Sequence, residues 1–243
     1  MLRLRAASVI MIFALILGAF SGCSLTSKKV YQGLGKTVSF RVGPGKDSKD
    51  VQVYSFNYVT ADATFDKDGK ILNLYVDGLE VSTPNYDGES MPHFSGWPGT
   101  QGYNVTDHVS AAVSRISSNT EGIISAEVNG WQTKRERGDK YGMNYDNDWH
   151  KQMDFYQEFF KGKTVDEIEE WFAKYCSDVN GRPLRDTSKN EEDKTKLAKL
   201  SDKEKAELAD VVSSATFSLK DAHGDILGAI KDAYENRVEV VIK

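Results

Sequence analysis

Cysteine is nearly absent: Cys23 and Cys176 are the two in 243 residues, too few for a framework of intrachain disulfides. Cys176 sits in a helix-patterned, aromatic-rich stretch, which suits a buried small hydrophobe better than a nucleophile. Histidine is scarce as well. His93, His108, His150 and His223 are not spaced at i, i+3 or i, i+4 from one another, so no zinc site is expected. Basic residues are not in excess, with 31 Lys and Arg against 36 Asp and Glu; this argues against nucleic acid as a partner. No G-x-S-x-G elbow occurs. Gly35-Lys36-Thr37 and Gly162-Lys163-Thr164 resemble the end of a phosphate loop, but Val30 and Gln157 stand where its first glycine is required. Asp66-Lys67-Asp68-Gly69-Lys70 lacks the later spacing of a calcium loop and reads as a hairpin turn.

One apolar run is present, and it lies at the N-terminus. Arg3 and Arg5 precede the uncharged stretch Ala6–Phe20, which is shorter than the ~20 residues that span a bilayer. Phe20-Ser21-Gly22-Cys23 follows, and the segment resembles a bacterial lipoprotein signal, with Phe20 in place of the usual leucine. The resemblance implies cleavage after residue 22, lipid on Cys23, and a protein held on the extracytoplasmic face of the bacterial membrane. Residues 23–29 would be a tether. Several acyl chains hold a protein where one does not. Removing residues 1–22 takes two arginines and no acid, so the remaining chain carries a net charge of −7.

From Val30 the pattern is extended. Val38, Phe40 and Val42 alternate with Ser39 and Arg41, Gly43-Pro44-Gly45-Lys46-Asp47 is expected to break the strand, and Val51–Thr64 and Ile71–Val81 read as a hairpin. Ser82–Tyr103 is a long connection with Pro84, Pro92, Pro98, Phe94 and Trp97, of the kind that binds something. Val109, Ala112, Val113 and Ile116 predict a short helix. Ile123–Gly130 echoes Ile71–Gly78 and predicts a further strand. Trp149, Met153, Tyr156 and Phe160 form one helical stripe; Thr164 with Glu167, and Ser201 with Glu204, are capping boxes. Strands first and helices later predict one α+β domain over residues 30–243, an antiparallel sheet with helices on one face and an insertion at 82–118.

The segment Asp210-Val211-Val212-Ser213-Ser214-Ala215-Thr216-Phe217-Ser218 joins small residues to a hydroxyl ahead of the helix-patterned Leu219–Tyr234. A helix start favours an anion, so the segment can seat a phosphate; a plain helix cap is the competing reading. Together with Thr133–Asp139 and Phe159-Phe160-Lys161-Gly162-Lys163, it is similar to the FMN-binding domain. That domain occurs in flavin-bearing subunits of the sodium-translocating NADH:quinone reductase and the Rnf complex, and in flavinylated surface lipoproteins. The likeness covers residues 120–235 and more loosely the first hairpin. It implies an electron carrier whose FMN a flavin transferase attaches through a phosphoester to Thr216, serving a membrane redox partner. Asp210, Ser213, Ser214 and Ala215 would line the attachment motif, with Lys134, Glu136 and Gly138 on a turn near the ring. Ser214 stands where the family has glycine, and Arg137 where it has leucine. Phe94, Trp97 and Tyr103 are candidates to stack on the flavin. The alternatives are a surface lipoprotein that has the fold without the flavin and binds a ligand or partner, and a flavin-dependent reductase.

Overall fold

Alternation along three long segments builds the sheet. The computed structural model describes residues 28–88, 90–107, 109–141 and 148–242. Cys23 and the segment 1–22 therefore lie outside the described residues, as does His108. Strands β1 (Lys28–Lys46), β2 (Gln52–Phe65), β3 (Ile71–Ser82) and β8 (Val238–Ile242) form one antiparallel sheet in the order β3-β2-β1-β8. Between β3 and β8 come the short strand pairs β4 (Asn104–Thr106) with β5 (Val113–Ile116), and β6 (Lys220–Asp221) with β7 (Gly224–Asp225). The helices are α1 (Glu121–Asn129), α2 (Lys134–Arg137), α3 (Trp149–Phe160), α4 (Val165–Tyr175), α5 (Glu191–Ala198), α6 (Asp202–Ser214) and α7 (Ile226–Glu235), with a 3-10 turn at Gly138–Tyr141. The protein is the expected α+β fold. The strand begins at Lys28, inside the stretch read as tether, and pairs there with Ile242.

Every second residue of β2 from Val59 to Phe65 is buried, and Val76, Leu74 and Ile71 lie opposite on β3. Against this face pack Trp149, Met153, Tyr156 and Phe160 of α3, Ile168 of α4, and Ile226, Ala229, Ile230 and Ala233 of α7. The aromatic stripe read from periodicity is the core side of α3. Both capping boxes form, at Thr164 with Glu167 and at Ser201 with Glu204. Cys176 is buried at the edge of this core, and burial pushes its thiol pKa far up.

Helix α7 lies on β1 at Gly33 and Gly35. A Cβ on Gly33 would come within 1.8 Å of the Ala233 carbonyl oxygen, and one on Gly35 within 2.0 Å of that of Ala229. Thr37 Oγ1 donates to the Asp225 carbonyl at 2.7 Å, and the Lys36 N–H donates to Asp232 at 2.8 Å. The outer edge of β3 is covered as well. The Val76 N–H donates to Gln157 Oε1 at 2.9 Å, its carbonyl accepts from Arg135 Nε at 2.6 Å, and Ile71 exchanges backbone bonds with Gly162 and Lys163.

Four local expectations are corrected. Gly43-Pro44-Gly45 is a bulge within β1, since pairing resumes at Lys46 with Gln52; the turn falls at Asp47–Asp50. Residues 109–116 form no helix: Asp107 accepts from the Ser110 N–H at 2.7 Å and turns the chain into the β4–β5 pair. Two apolar residues of that stripe, Val109 and Ile116, are exposed, so no helical core face forms. Ile123–Gly130 is helical, with the Thr120 side chain capping its first turn. Finally, the helix expected from Leu219 starts at Ile226, after the β6–β7 hairpin.

Gly35→Ala drives a methyl group into helix backbone that cannot swing aside. Denaturant unfolding should register a loss of about 3 kcal/mol, whereas Leu34→Ala on the exposed face should cost little.

Candidate functional site

The covered face of the sheet changes character towards its far end. Beyond Val59 the inward positions of β2 are Asn57 and Ser55, and beyond Val76 those of β3 are Gly78, Glu80 and Ser82. Gly78 leaves room for the Lys134 stem and the Trp149 ring: a Cβ there would meet Lys134 Cδ at 3.6 Å and Trp149 at 3.9 Å. Thr133 caps α2 in a reciprocal box with Glu136, and the short helix points Lys134 inward. The result is a buried ammonium among aromatic rings, with Nζ 5.3 Å from the Tyr141 centroid and 5.8 Å from those of Trp149 and Phe217. Glu80 supplies the counter-charge at 3.5 Å and accepts from the Tyr141 hydroxyl at 3.3 Å.

Burial by itself would lower the Lys134 pKa. The neighbouring Tyr141 phenol and Glu80 carboxylate outweigh it and hold the pKa above the usual lysine range. For Tyr141, burial is the leading cause and raises the phenol's pKa, with Lys134 opposing. Lys134 is therefore a fixed cation at neutral pH. Beside it opens a cleft of about 280 Å³ lined by Arg41, Glu80, Tyr86, Asp87, Arg137, Lys140, Tyr141 and His223. The β6–β7 hairpin forms one wall. Its Ala222 carbonyl accepts from Ser39 and Asn57, and the His223 N–H donates to Asp221. Among the described residues, four buried polar atoms on this face have no hydrogen-bond partner: Ser55 Oγ, Asn57 Oδ1, Ser82 Oγ and Trp149 Nε1. Such orphans cost free energy unless a ligand or water answers them.

The residues read from the sequence divide between this cleft and the surface. Lys134 lies buried behind its lining, against Glu80 and Tyr141. Glu136 is exposed and spent on the capping box, while Gly138 takes a positive φ of 50° that turns the chain towards Tyr141. Asp210 and Ser213 lie on the exposed side of α6, and Ser213 donates to the Asp210 carbonyl at 2.7 Å. Ser214 is the last residue of α6. It has right-handed backbone, so the position asks for no glycine; Ala215, fully buried, makes the bend with φ −147°.

Thr216 is half-buried just past the C-terminus of α6, not at a helix start. Its N–H and that of Phe217 both donate to Gln152 Oε1, at 2.8 and 2.7 Å. A glutamine oxygen thus holds the amide pair that a phosphate would use. The N-terminus of α7 is likewise taken, since Asp225 accepts from the Gly228 N–H at 2.7 Å. The phosphate seat expected at a helix start is not built there. Phe217 nevertheless links Thr216 to the cleft, with its ring on Trp149 at 6.3 Å and towards Lys134.

Glu80, Tyr141, Arg41 and His223 were not read from the sequence as site residues, and Arg137 only as a departure from the family's turn. Glu80 carried a signal, as a carboxylate at an inward strand position in phase with Val76. The others arrive from separate elements and carried none. Phe94, Trp97 and Tyr103, read as stacking candidates for the same flavin, lie instead against Phe40, Tyr54 and Phe56 on the opposite face of the sheet. Asp139, Asp148 and His150 also converge, within 4.8 Å of one another. Lys151 already pairs with both carboxylates, at 3.7 and 2.8 Å, so the group reads as an ion-pair cluster.

The chain is 36% identical over 222 residues to a Desulfitobacterium hafniense protein named chlorophenol reductase, an alignment covering 88% of this chain and 60% of the relative's length. No family model matches the chain, and no solved structure does.

The Lys134–Glu80 pair sets a stability test. Native Lys134 contributes in acid and neutral solution and loses its contribution only as pH rises through its raised pKa. Lys134→Met leaves a buried carboxylate without its cation and should cost about 3 kcal/mol at pH 7. Urea titrations at pH 7 should show that loss as a lowered midpoint. Adding Glu80→Gln, which removes the unpaired carboxylate, should recover most of it.

Proposed function

We propose that the chain is a redox protein that holds one FMN in the Lys134 cleft and passes electrons without transforming a substrate of its own. The observation that carries this reading is the buried Lys134 ammonium, caged by Tyr141, Trp149 and Phe217 one residue from Thr216. The relative's name, chlorophenol reductase, supports a redox setting. The cleft lining offers cations for a phosphate in Arg41, Arg137 and Lys140, set beside the carboxylates of Glu80 and Asp87, and rings in Tyr86 and Tyr141. Lys134, Trp149 and Phe217 lie together behind that lining.

FMN, when bound, supplies one- or two-electron chemistry. This chain's residues would set the conditions for it. Lys134, unable to leave and unable to titrate near neutrality, favours whatever negative charge develops beside it. Glu80 and Tyr141 orient the ammonium, and the aromatic cage excludes water. Thr216, whose hydroxyl makes no hydrogen bond to a described residue, is the point of covalent attachment, in a phosphoester formed by a flavin transferase. Asp210, Ser213, Ser214 and Ala215 present that threonine at the end of α6.

The same proposal places the protein on the extracytoplasmic face of a bacterial membrane, lipid-anchored through Cys23. Four residues separate Cys23 from β1, a reach of roughly 16 Å, so the domain would ride close to the bilayer and to a membrane redox partner. A second reading is favoured by Gln152, whose oxygen answers both amides at Thr216 and Phe217. On that reading the protein keeps the fold without a flavin and binds another ligand.

Colour separates the two. Protein made with residues 1–22 intact, in a host that has a flavin transferase, should be yellow, and its flavin fluorescence should survive boiling in detergent. Thr216→Ala should abolish the detergent-resistant fluorescence, and Gln152→Ala should not. Colourless protein that takes up no added FMN would falsify the flavin reading.

A further inference from the structure

The face of the sheet turned away from α3 and α7 carries its own cavity, about 380 Å³, inside the range of small-molecule sites. Its floor is flat. Phe40 of β1 and Tyr54 of β2 stack at 5.8 Å with only 20° between their planes, and Phe56 continues the row. Its wall comes from the 82–103 connection, where Phe94 meets the edge of Trp97 at 4.9 Å, and Tyr103 adds a third ring. Among the described residues, no lysine, arginine, aspartate, glutamate or histidine lines it.

The wall is held in place. The Phe94 N–H donates to the Ser82 carbonyl, and the Ser82 N–H to that of Pro92, each at 3.0 Å. Buried Ser95 gives its N–H and its hydroxyl to Glu127 of α1, which also pairs with His93 at 3.3 Å. Trp97 is 70% exposed, yet its carbonyl accepts both the N–H and the hydroxyl of Thr100. A large apolar ring kept in water by a braced turn is ordered in advance for a ligand, which lowers the entropy cost of binding. On the rim, the Gln101 side-chain amide makes no hydrogen bond to a described residue.

We propose that this trough binds an uncharged planar ring bearing ring oxygens, of the quinone or phenol class, stacked between the Phe40–Tyr54 floor and Trp97. Absence of charge excludes nucleotides and carboxylates, because nothing in the lining offsets the desolvation of an anion. Flat aromatic floor and aromatic wall select a planar ring over an acyl chain. Gln101 donates to the ring oxygen. The site lies across the sheet from Lys134, so its occupancy does not depend on the flavin reading, and that reading only supplies a reason for having a redox-active ring there.

Isothermal titration of the purified protein with menadione and, separately, with 2-chlorophenol tests the assignment. At least one should bind with sub-millimolar affinity. Saturation by menadione alone identifies the quinone class as occupant; saturation by the chlorophenol alone identifies the phenol class. Trp97→Ala, at an exposed position, should leave thermal unfolding unchanged and weaken binding about five- to tenfold. Failure of both probes to saturate by millimolar concentrations, unchanged affinity in Trp97→Ala, or competitive displacement of the bound probe by FMN would each overturn it. Protein colour reads the flavin proposal separately in the same samples.

Discussion

The close seat of α7 on β1 is the constraint from which the rest of the architecture follows. Two glycines remove every side-chain atom between helix and strand, so backbone meets backbone at Ala229 and Ala233. That contact fixes the height of α7 above the sheet. It therefore fixes where Asp225 begins the helix and where the β6–β7 hairpin must fold back over Ser39 and Asn57. With α7 standing further off, the wall bearing His223 would lift away, and the cleft beside Lys134 would open to water. The small residues of α7 and the glycines of β1 are two halves of one packing solution.

Within the cleft, electrostatics settle what packing has enclosed. A buried ammonium survives because one carboxylate, one phenol and three aromatic faces surround it, while Arg137 and Arg41 remain at the more open side. The balance is asymmetric: the cation is fully enclosed, and the compensation comes from β3 and the 3-10 turn. Such an arrangement holds charge at a defined place and resists changing it. The trough on the opposite face has no charged residue in its lining among the described residues. The sheet thus separates a cationic cleft from an aromatic trough, with Phe56 and Trp131, 6.3 Å apart, marking where the chain wraps from one side to the other.

Much of this was legible in sequence where the signal is local. Alternation from Val38 to Val42 and from Ile71 to Val81 gave strands, the stripe Trp149–Phe160 gave the buried side of a helix, and both capping boxes formed as spaced. The misreadings share one cause. Val109–Ile116 has helical spacing and Ile123–Gly130 has strand-like residues, yet each took the other state. Asp107 and Thr120 made local bonds that fixed a turn and a helix start, and Arg135 and Gln157 took the β3 edge at Val76. Periodicity counts residues; it does not know which edges are free.

The candidate site divides the same way. Sequence by itself determined the class of fold, the burial of Cys176 and the core stripe of α3, and by resemblance it pointed to the turn that carries Lys134. Only the tertiary structure decided that Thr216 follows a helix instead of preceding one, and that Gln152 fills the amide pair beside it. It alone joined Glu80, Tyr141, Arg137 and His223 around one cation, and set the connection's aromatics on the far side of the sheet. The reason is physical. Helix caps and strand alternation arise from neighbours within a few residues, whereas the balance of charge in a cleft and the face on which a loop lands depend on strands paired across the whole chain.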